Sequence, residues 1–325
     1  MQPSDISALV LGAAGRAAAR VPDAPQLSVA SAAPLREITA VDERGKPHSL
    51  RLPVERPLTI AVDGRELVTL MTLGAAPEWL VLGYLRNQRL IDEVAALRSV
   101  EVDWTKKIAR VTSRQERLGP SATAAAQGVG AATPLGCALG TGFSDVMRRL
   151  GAGAAKDSAP TVAGGMVDGA VAVGAALAGA PGRLQEPSIS HSEILAILEY
   201  MRRHDAVHRA AGSVHSCALF QGGELWAAVE DVSRHNGVDT ITGFMALHGM
   251  DGAGKALFTT GRLTGEMVMK AAHNGIPVMI SRNGTTAMGY ELAAKLGMTL
   301  IGRAANRRYV CYIGAERIVR PTGPA

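Results

Sequence analysis

Cysteine is scarce in this 325-residue chain: there are three, Cys137, Cys217 and Cys311, odd in number and far apart. That pattern argues against a disulfide framework and against a compact zinc site, and it suits a reducing compartment. Aromatic residues make up only 4% of the chain. Few rings are left to stack single-stranded bases, so no nucleic-acid partner is expected. Long apolar runs are missing too; the stretch beginning at Val162 is broken by glycine and aspartate well short of a membrane span. A brief apolar patch at residues 8–14 has its arginines after it, the reverse of a secretory signal. A cytoplasmic protein with no membrane contact is the expectation.

What is present is material for a core. Hydrophobic residues account for 47% and charged residues for 19%, which allows a sizeable buried interior and excludes global disorder. The net charge of +5 and a sequence pI near 9.3 are compatible with a phosphate-bearing partner. Residues 1–36 are rich in alanine and proline without a sustained period and read as a flexible arm. Residues 37–112 read as a β-rich subdomain, with a hairpin turning on Asp63-Gly64 and a helix that Pro77 starts. Residues 113–187 are dominated by alanine, glycine and serine and read as a loop region carrying Cys137. From residue 188 strands alternate with single helices, closed by Gly275 and Gly297, which implies an α/β domain with a parallel or mixed sheet. Its first helix opens on Ser190-His191-Ser192-Glu193, with capping-box spacing, and the helix after the Gly222-Gly223 hairpin is expected from about Val238.

In such a sheet, ligands collect beyond the carboxyl ends of the strands. Three loops are expected there: Thr260-Gly261-Arg262, Ser281-Arg282-Asn283-Gly284-Thr285-Thr286, and Gly302-Arg303-Ala304-Ala305-Asn306-Arg307-Arg308. All bring arginine, and two offer backbone N–H groups at a helix start, a combination suited to phosphate; ordinary caps and solvated arginines are the alternative. Asp231-Val232-Ser233-Arg234-His235-Asn236 crowds polar groups into six positions, as a solvated turn or a site would. His215, Cys217 and Cys311 lie in apolar strands and read as core residues. Cys137 differs. Glycines flank it in Leu135-Gly136-Cys137-Ala138-Leu139-Gly140, and a short helix expected from Ser144 lies just beyond. An exposed thiol near a helix start has the acidity that a sulfur-carrying nucleophile needs.

Taken in order, Gly212-Ser213-Val214-His215, Glu230-Asp231-Val232-Ser233-Arg234-His235-Asn236, Gly261-Arg262-Leu263-Thr264-Gly265-Glu266, Thr299-Leu300-Ile301-Gly302 and Leu82-Gly83-Tyr84 resemble the FdhD family of formate dehydrogenase accessory proteins. The resemblance implies an α/β fold (α+β overall), a cytidine-deaminase-like C-terminal domain with a smaller β-rich N-terminal subdomain, in a homodimer. It implies a sulfurtransferase that moves persulfide sulfur from a cysteine desulfurase to the bis-molybdopterin guanine dinucleotide cofactor of formate dehydrogenase or a related molybdoenzyme. Cys137 matches the persulfide cysteine. The stretch Arg303, Ala304, Ala305, Asn306, Arg307 and Arg308 matches the loop that contacts the cofactor, with Gly261, Arg262, Arg234 and His235 as further binding residues and no metal held by the protein itself. The chain departs from the pattern at Gly140, where the family has a second cysteine, at Ser233 and Arg307 in place of glycines, and at Thr240 in place of a lysine. A non-catalytic cofactor-binding chaperone is therefore the competing expectation. Deamination is not expected, since the Pro-Cys-x-x-Cys element of zinc deaminases is missing.

Overall fold

The computed structural model describes residues 8–114, 134–135 and 188–320. Residues 8–36 are not the flexible arm expected from composition. They form β1 (Leu9–Leu11), α1 (Ala13–Ala17) and β2 (Gln26–Leu27), and Leu9 lies opposite Val229 while Leu27 lies opposite Val100. Strands this short carry no readable period; distant partners define them. Next, β3 (Leu35–Val41) and β4 (Pro47–Pro53) pair only with each other. The hairpin of β5 (Arg56–Val62) and β6 (Arg65–Thr72) turns on Asp63 and Gly64 at φ 47° and 80°, the positive values a type I′ turn demands. α2 (Pro77–Asn87) begins on its proline and is followed by β7 (Leu97–Asp103), β8 (Ile108–Ser113) and β9 (Pro134–Leu135). Together they make a six-stranded sheet in the order β2-β7-β8-β5-β6-β9, with Leu58, Ile60, Val100 and Val111 buried beneath Leu82 and Leu85 of α2.

After β10 (Ile189–Ser190), α3 (His191–His204) starts on a complete capping box between Ser190 and Glu193, and the short α4 (Ala206–Ala211) turns off it at Asp205. β11 (His215–Gln221) and β12 (Glu224–Asp231) form the next hairpin, then come α5 (Arg234–Leu247), β13 (Lys255–Thr259), α6 (Gly265–His273), β14 (Val278–Ser281) and α7 (Ala287–Leu296). β15 (Thr299–Ala305), β16 (Arg308–Ile313) and β17 (Ile318–Val319) end the described chain. The larger sheet runs β1-β12-β11-β13-β14-β15-β16, with β13, β14 and β15 parallel at its centre. Ile194, Ile197 and Met201 of α3 cover one face through Phe220, Phe258 and Ile280, while α5, α6 and α7 cover the other. The mixed α/β architecture is the expected one.

The two sheets meet through α2 and α5. A Cβ on Gly83 would stand 1.7 Å from the Asp239 carbonyl oxygen, and one on Gly243 would stand 1.9 Å from that of Trp79, so only glycine lets these backbones approach. Polar side chains fill the seam beside this crossing. Lys270 Nζ donates to both Asp239 carboxylate oxygens at 2.9 Å. Asn87 Nδ2 donates to Asp239 Oδ1 at 2.6 Å, and Asn274 Nδ2 donates to Asn87 Oδ1 at 3.2 Å. All four residues are buried. A charge pair this dry survives because each partner is answered.

Candidate functional site

The carboxyl ends of β13, β14 and β15 carry a continuous hydrogen-bonded row. Ser281 Oγ donates to the Gly261 carbonyl at 2.6 Å, Asn283 Nδ2 to the Thr260 carbonyl at 2.6 Å, and Arg303 N to the Asn283 carbonyl at 2.9 Å. The three loops expected at this edge therefore do lie side by side. Their backbone N–H groups are mostly spent within the protein, however: Gly261 N bonds Thr259 Oγ1, Leu263 N bonds the Gly284 carbonyl, Arg282 N the Thr259 carbonyl and Thr286 N the Leu263 carbonyl. The expected backbone anion cradle at the helix starts is thus not what the edge offers. Arginine side chains are. Arg262, Arg303, Arg307 and Arg308 are exposed, and Arg282 is partly buried. The last of the three loops is in fact a tight hairpin, because β15 runs on to Ala305 and β16 resumes at Arg308. Asn306 and Arg307 turn it at φ 50° and 63°, and Ala304 is buried.

At the other end of the row, Arg234 packs its side-chain stem against Gly261, where a Cβ would lie 2.7 Å from Arg234 Cβ. The run from Asp231 to Asn236 is not a solvated turn. Helix α5 begins at Arg234, four residues earlier than expected, with Ser233 Oγ accepting from His235 N. Asp231 is buried and accepts from Thr72 Oγ1, Leu73 N, Ser233 N and Asn236 Nδ2. Burial pushes its carboxyl up to about 6 despite those donors. Asp231 thus clamps the end of β6 to the start of α5. Burial, then the charges of Lys270 and Arg234, hold His235 down to about 3, so its contact with Glu266 at 3.3 Å is made by a neutral ring. Burial raises Glu266 as well. His215 is half-buried beside Arg234, and Cys217 is fully buried, its thiol pushed up to about 12 by burial.

Beyond the row lies an open pocket of about 340 Å³, lined by Arg282, Ala304, Ala305 and Asn306 from the strand ends and closed by Arg202, Asp205, His208 and Arg209 from the α3–α4 elbow. Sequence reasoning missed the elbow. Its one signal is the basic run Arg202-Arg203-His204 at a helix end, which a favourable dipole alone would explain. Of the residues expected to bind, Ala304, Ala305 and Asn306 line this pocket; Arg303, Arg307, Arg308, Gly261, Arg262, Arg234 and His235 do not. Cys137 lies outside the described residues. A His-x-Glu spacing does occur at His191-Ser192-Glu193, but Glu193 is committed to the capping box and His191 Nδ1 lies 2.9 Å from the Tyr309 hydroxyl. Among the described residues no cluster of His, Cys, Asp and Glu could hold a metal ion.

Comparison with known proteins places the chain. The FdhD/NarQ family profile matches residues 53–167 and 156–319. The chain belongs to the FdhD/NarQ family. Curated members similar to it include sulfur carrier protein FdhD of Geobacillus kaustophilus, 23% identical over 82% of this chain and 90% of that one. The Bacillus licheniformis protein of the same name is 26% identical over 82% and 90%. A crystal structure of a formate dehydrogenase accessory protein from Desulfotalea psychrophila shares the fold, with a TM-score of 0.61 over 88% of this chain and 98% of its own, at 23% identity. Two residues singled out in the sequence have a physical reading in the structure. Arg307 holds a left-handed backbone conformation at φ 63°, and the Ser233 hydroxyl caps α5 by accepting from His235 N.

Proposed function

We propose that this protein is a sulfur carrier of formate dehydrogenase maturation, in which Cys137 accepts sulfur from a cysteine desulfurase and passes it to the bis-molybdopterin guanine dinucleotide cofactor. One observation carries the reading: membership of the FdhD/NarQ family along most of the chain, with full-length relatives named sulfur carriers. In the loading step the Cys137 thiolate attacks the outer sulfur of the desulfurase persulfide. The sulfur–sulfur bond of the donor breaks, its cysteine leaves as a thiolate, and Cys137 ends as the persulfide. The strand β9 lies two residues before Cys137 in the chain. It runs parallel to β6, with Leu135 opposite Leu70.

The cofactor is a substrate in transit. Its phosphates suit the exposed arginines of the carboxyl edge, Arg303, Arg307 and Arg308 on the β15–β16 hairpin and Arg209 at the elbow. The loop pattern with Gly140 in place of a second cysteine leaves Cys137 as a lone carrier with no neighbour to resolve its persulfide. That same substitution favours the second reading, a cofactor-binding chaperone without sulfur transfer. Incubation with a cysteine desulfurase and cysteine, followed by peptide mass spectrometry, separates them. One extra sulfur atom on the Cys137 peptide, lost in Cys137→Ala, is expected of the carrier. An unmodified peptide together with full client activation by Cys137→Ala would leave only the chaperone.

A further inference from the structure

We propose that the groove beside residues 27–34 binds a small zwitterion, with Glu78 taking its ammonium group and Arg20 its carboxylate. The groove is an open cavity of about 470 Å³ between this segment, β1 and the start of α2. None of its lining residues borders the elbow pocket, so the site stands independently of the carrier reading. Glu78 lines the groove and is only 6% exposed. Its Oε1 accepts from Ser28 Oγ at 2.6 Å and from Ala30 N at 3.0 Å. Both donors are neutral, and among the described residues Oε2 has no partner and no cation pairs with the carboxylate. Buried carboxylates are ordinarily met by a cation. Glu78 is the second residue of α2, where the helix dipole favours negative charge. That explains why the charge is tolerated, but it leaves Oε2 without a donor.

The other walls complete the match. Trp79, next to Glu78 on α2, brings an indole to the groove, and aromatic faces attract ammonium groups. Ala33, Ala75 and Ala76 leave room for a short aliphatic body. Arg20 stands exposed on the rim, without a carboxylate partner among the described residues. A guanidinium so placed offers a fork of donors to a carboxylate. The groove is also preformed. Val102 N donates to Ser28 Oγ at 2.9 Å, Trp104 Nε1 donates to the Ala30 carbonyl, and Ala32 N donates to the Gly74 carbonyl at 2.8 Å. These bonds pin the segment to the smaller sheet and to the turn before α2, so binding carries little ordering cost. An ammonium group supplies the missing charge partner of Glu78, and only a ligand with both charges answers Arg20 as well. A free α-amino acid and the ends of a short peptide share that chemistry.

The test is isothermal titration of the full-length protein with L-alanine, trialanine, N-acetyl-L-alanine and propylamine. The better of the two zwitterions is expected to bind about tenfold or more tightly than N-acetyl-L-alanine, which lacks the ammonium group. It should exceed propylamine, which lacks the carboxylate, by a similar factor. Tighter binding of L-alanine names a free amino acid as the ligand, and tighter binding of trialanine names a peptide. Glu78→Gln keeps an oxygen for Ser28 and Ala30 but removes the charge. It should weaken the preferred zwitterion about tenfold while the thermal midpoint stays within about 2 °C. Arg20→Ala should weaken the zwitterion and leave propylamine unchanged. Failure of both zwitterions to bind the unaltered protein, or equal binding of N-acetyl-L-alanine, would overturn the site without any variant having to fold. Propylamine binding as tightly as the zwitterions would overturn the part given to Arg20. Unchanged affinity in a folded Glu78→Gln would reduce Glu78 to a brace for Ser28 and Ala30 and overturn the proposal.

Discussion

The seam between α2 and α5 and the pocket at the α3–α4 elbow are built from the same materials and do opposite things. In the seam, Asp239 is met by Lys270 and Asn87, and Asn87 in turn by Asn274. At the elbow, Asp205 is equally buried but is met only by the partly buried Arg282, while Arg202 and Arg209 face solvent. A closed polar network holds two sheets in register, whereas an open one is poised for a ligand. Burial of charge alone therefore does not mark a site.

The comparison breaks most easily on the seam side. Lys270→Met leaves the Asp239 carboxylate buried without its cation, and urea unfolding should show a loss of about 3–5 kcal/mol. Asp231→Ala strands the donors on Thr72, Leu73, Ser233 and Asn236 and should cost about 3 kcal/mol in the same assay. A loss as small as that of a surface variant would refute the clamp.

Acid sharpens the contrast further. Asp231 and Glu230, both raised to about 6 by burial, hold protons in the folded state that the unfolded chain has released. Their contribution is complete below about pH 4 and is lost as pH rises through 6. His235 and His273, lowered to about 3 and about 4 chiefly by burial, act in the other direction. Their contribution is present above pH 6.5, the unperturbed value, and is lost as pH falls through the folded values. The two slopes oppose each other between pH 4 and 6. His235→Asn removes one of the histidines, so the drop in unfolding free energy from pH 7 to pH 4.5 should be smaller than in the unaltered protein. An unchanged drop would mean that His235 is not held neutral.

The hairpin gives a smaller effect. Arg307→Gly relieves the left-handed backbone at φ 63° and should stabilise the protein by up to about 1 kcal/mol in thermal melts. Smallest of all, Arg209→Ala should change stability by less than about 0.5 kcal/mol, because this side chain lies on the exposed rim. A loss of binding without a loss of stability is what separates the pocket from the seam.

Much of the fold was legible because it is locally encoded. Ser190 and Glu193, Asp63-Gly64 and Gly297 each announce a cap or turn within a few residues, and the alternation of strands and helices after residue 188 implies the mixed sheet. What was illegible depends on distant partners. Leu9–Leu11 is a strand only because Ala227–229 lies beside it, and Asp231 is buried only because Thr72 reaches it from 159 positions away. The same holds for the site. The loops at the strand ends could be named from spacing, but Asp205 joins them only through Arg282, and no local pattern signals that pairing. Cys137 was nominated by its flanking glycines and by family pattern, and it lies outside the described residues.

The most direct test of the central claim is a single-turnover chase. Protein carrying radiolabelled persulfide is mixed with formate dehydrogenase that holds its cofactor but lacks the activating sulfur. The account predicts that label leaves Cys137 and appears on the client in step with formate oxidation, and that Cys137→Ala is inert. Full activation by Cys137→Ala, with the label still on the unaltered protein, would contradict it.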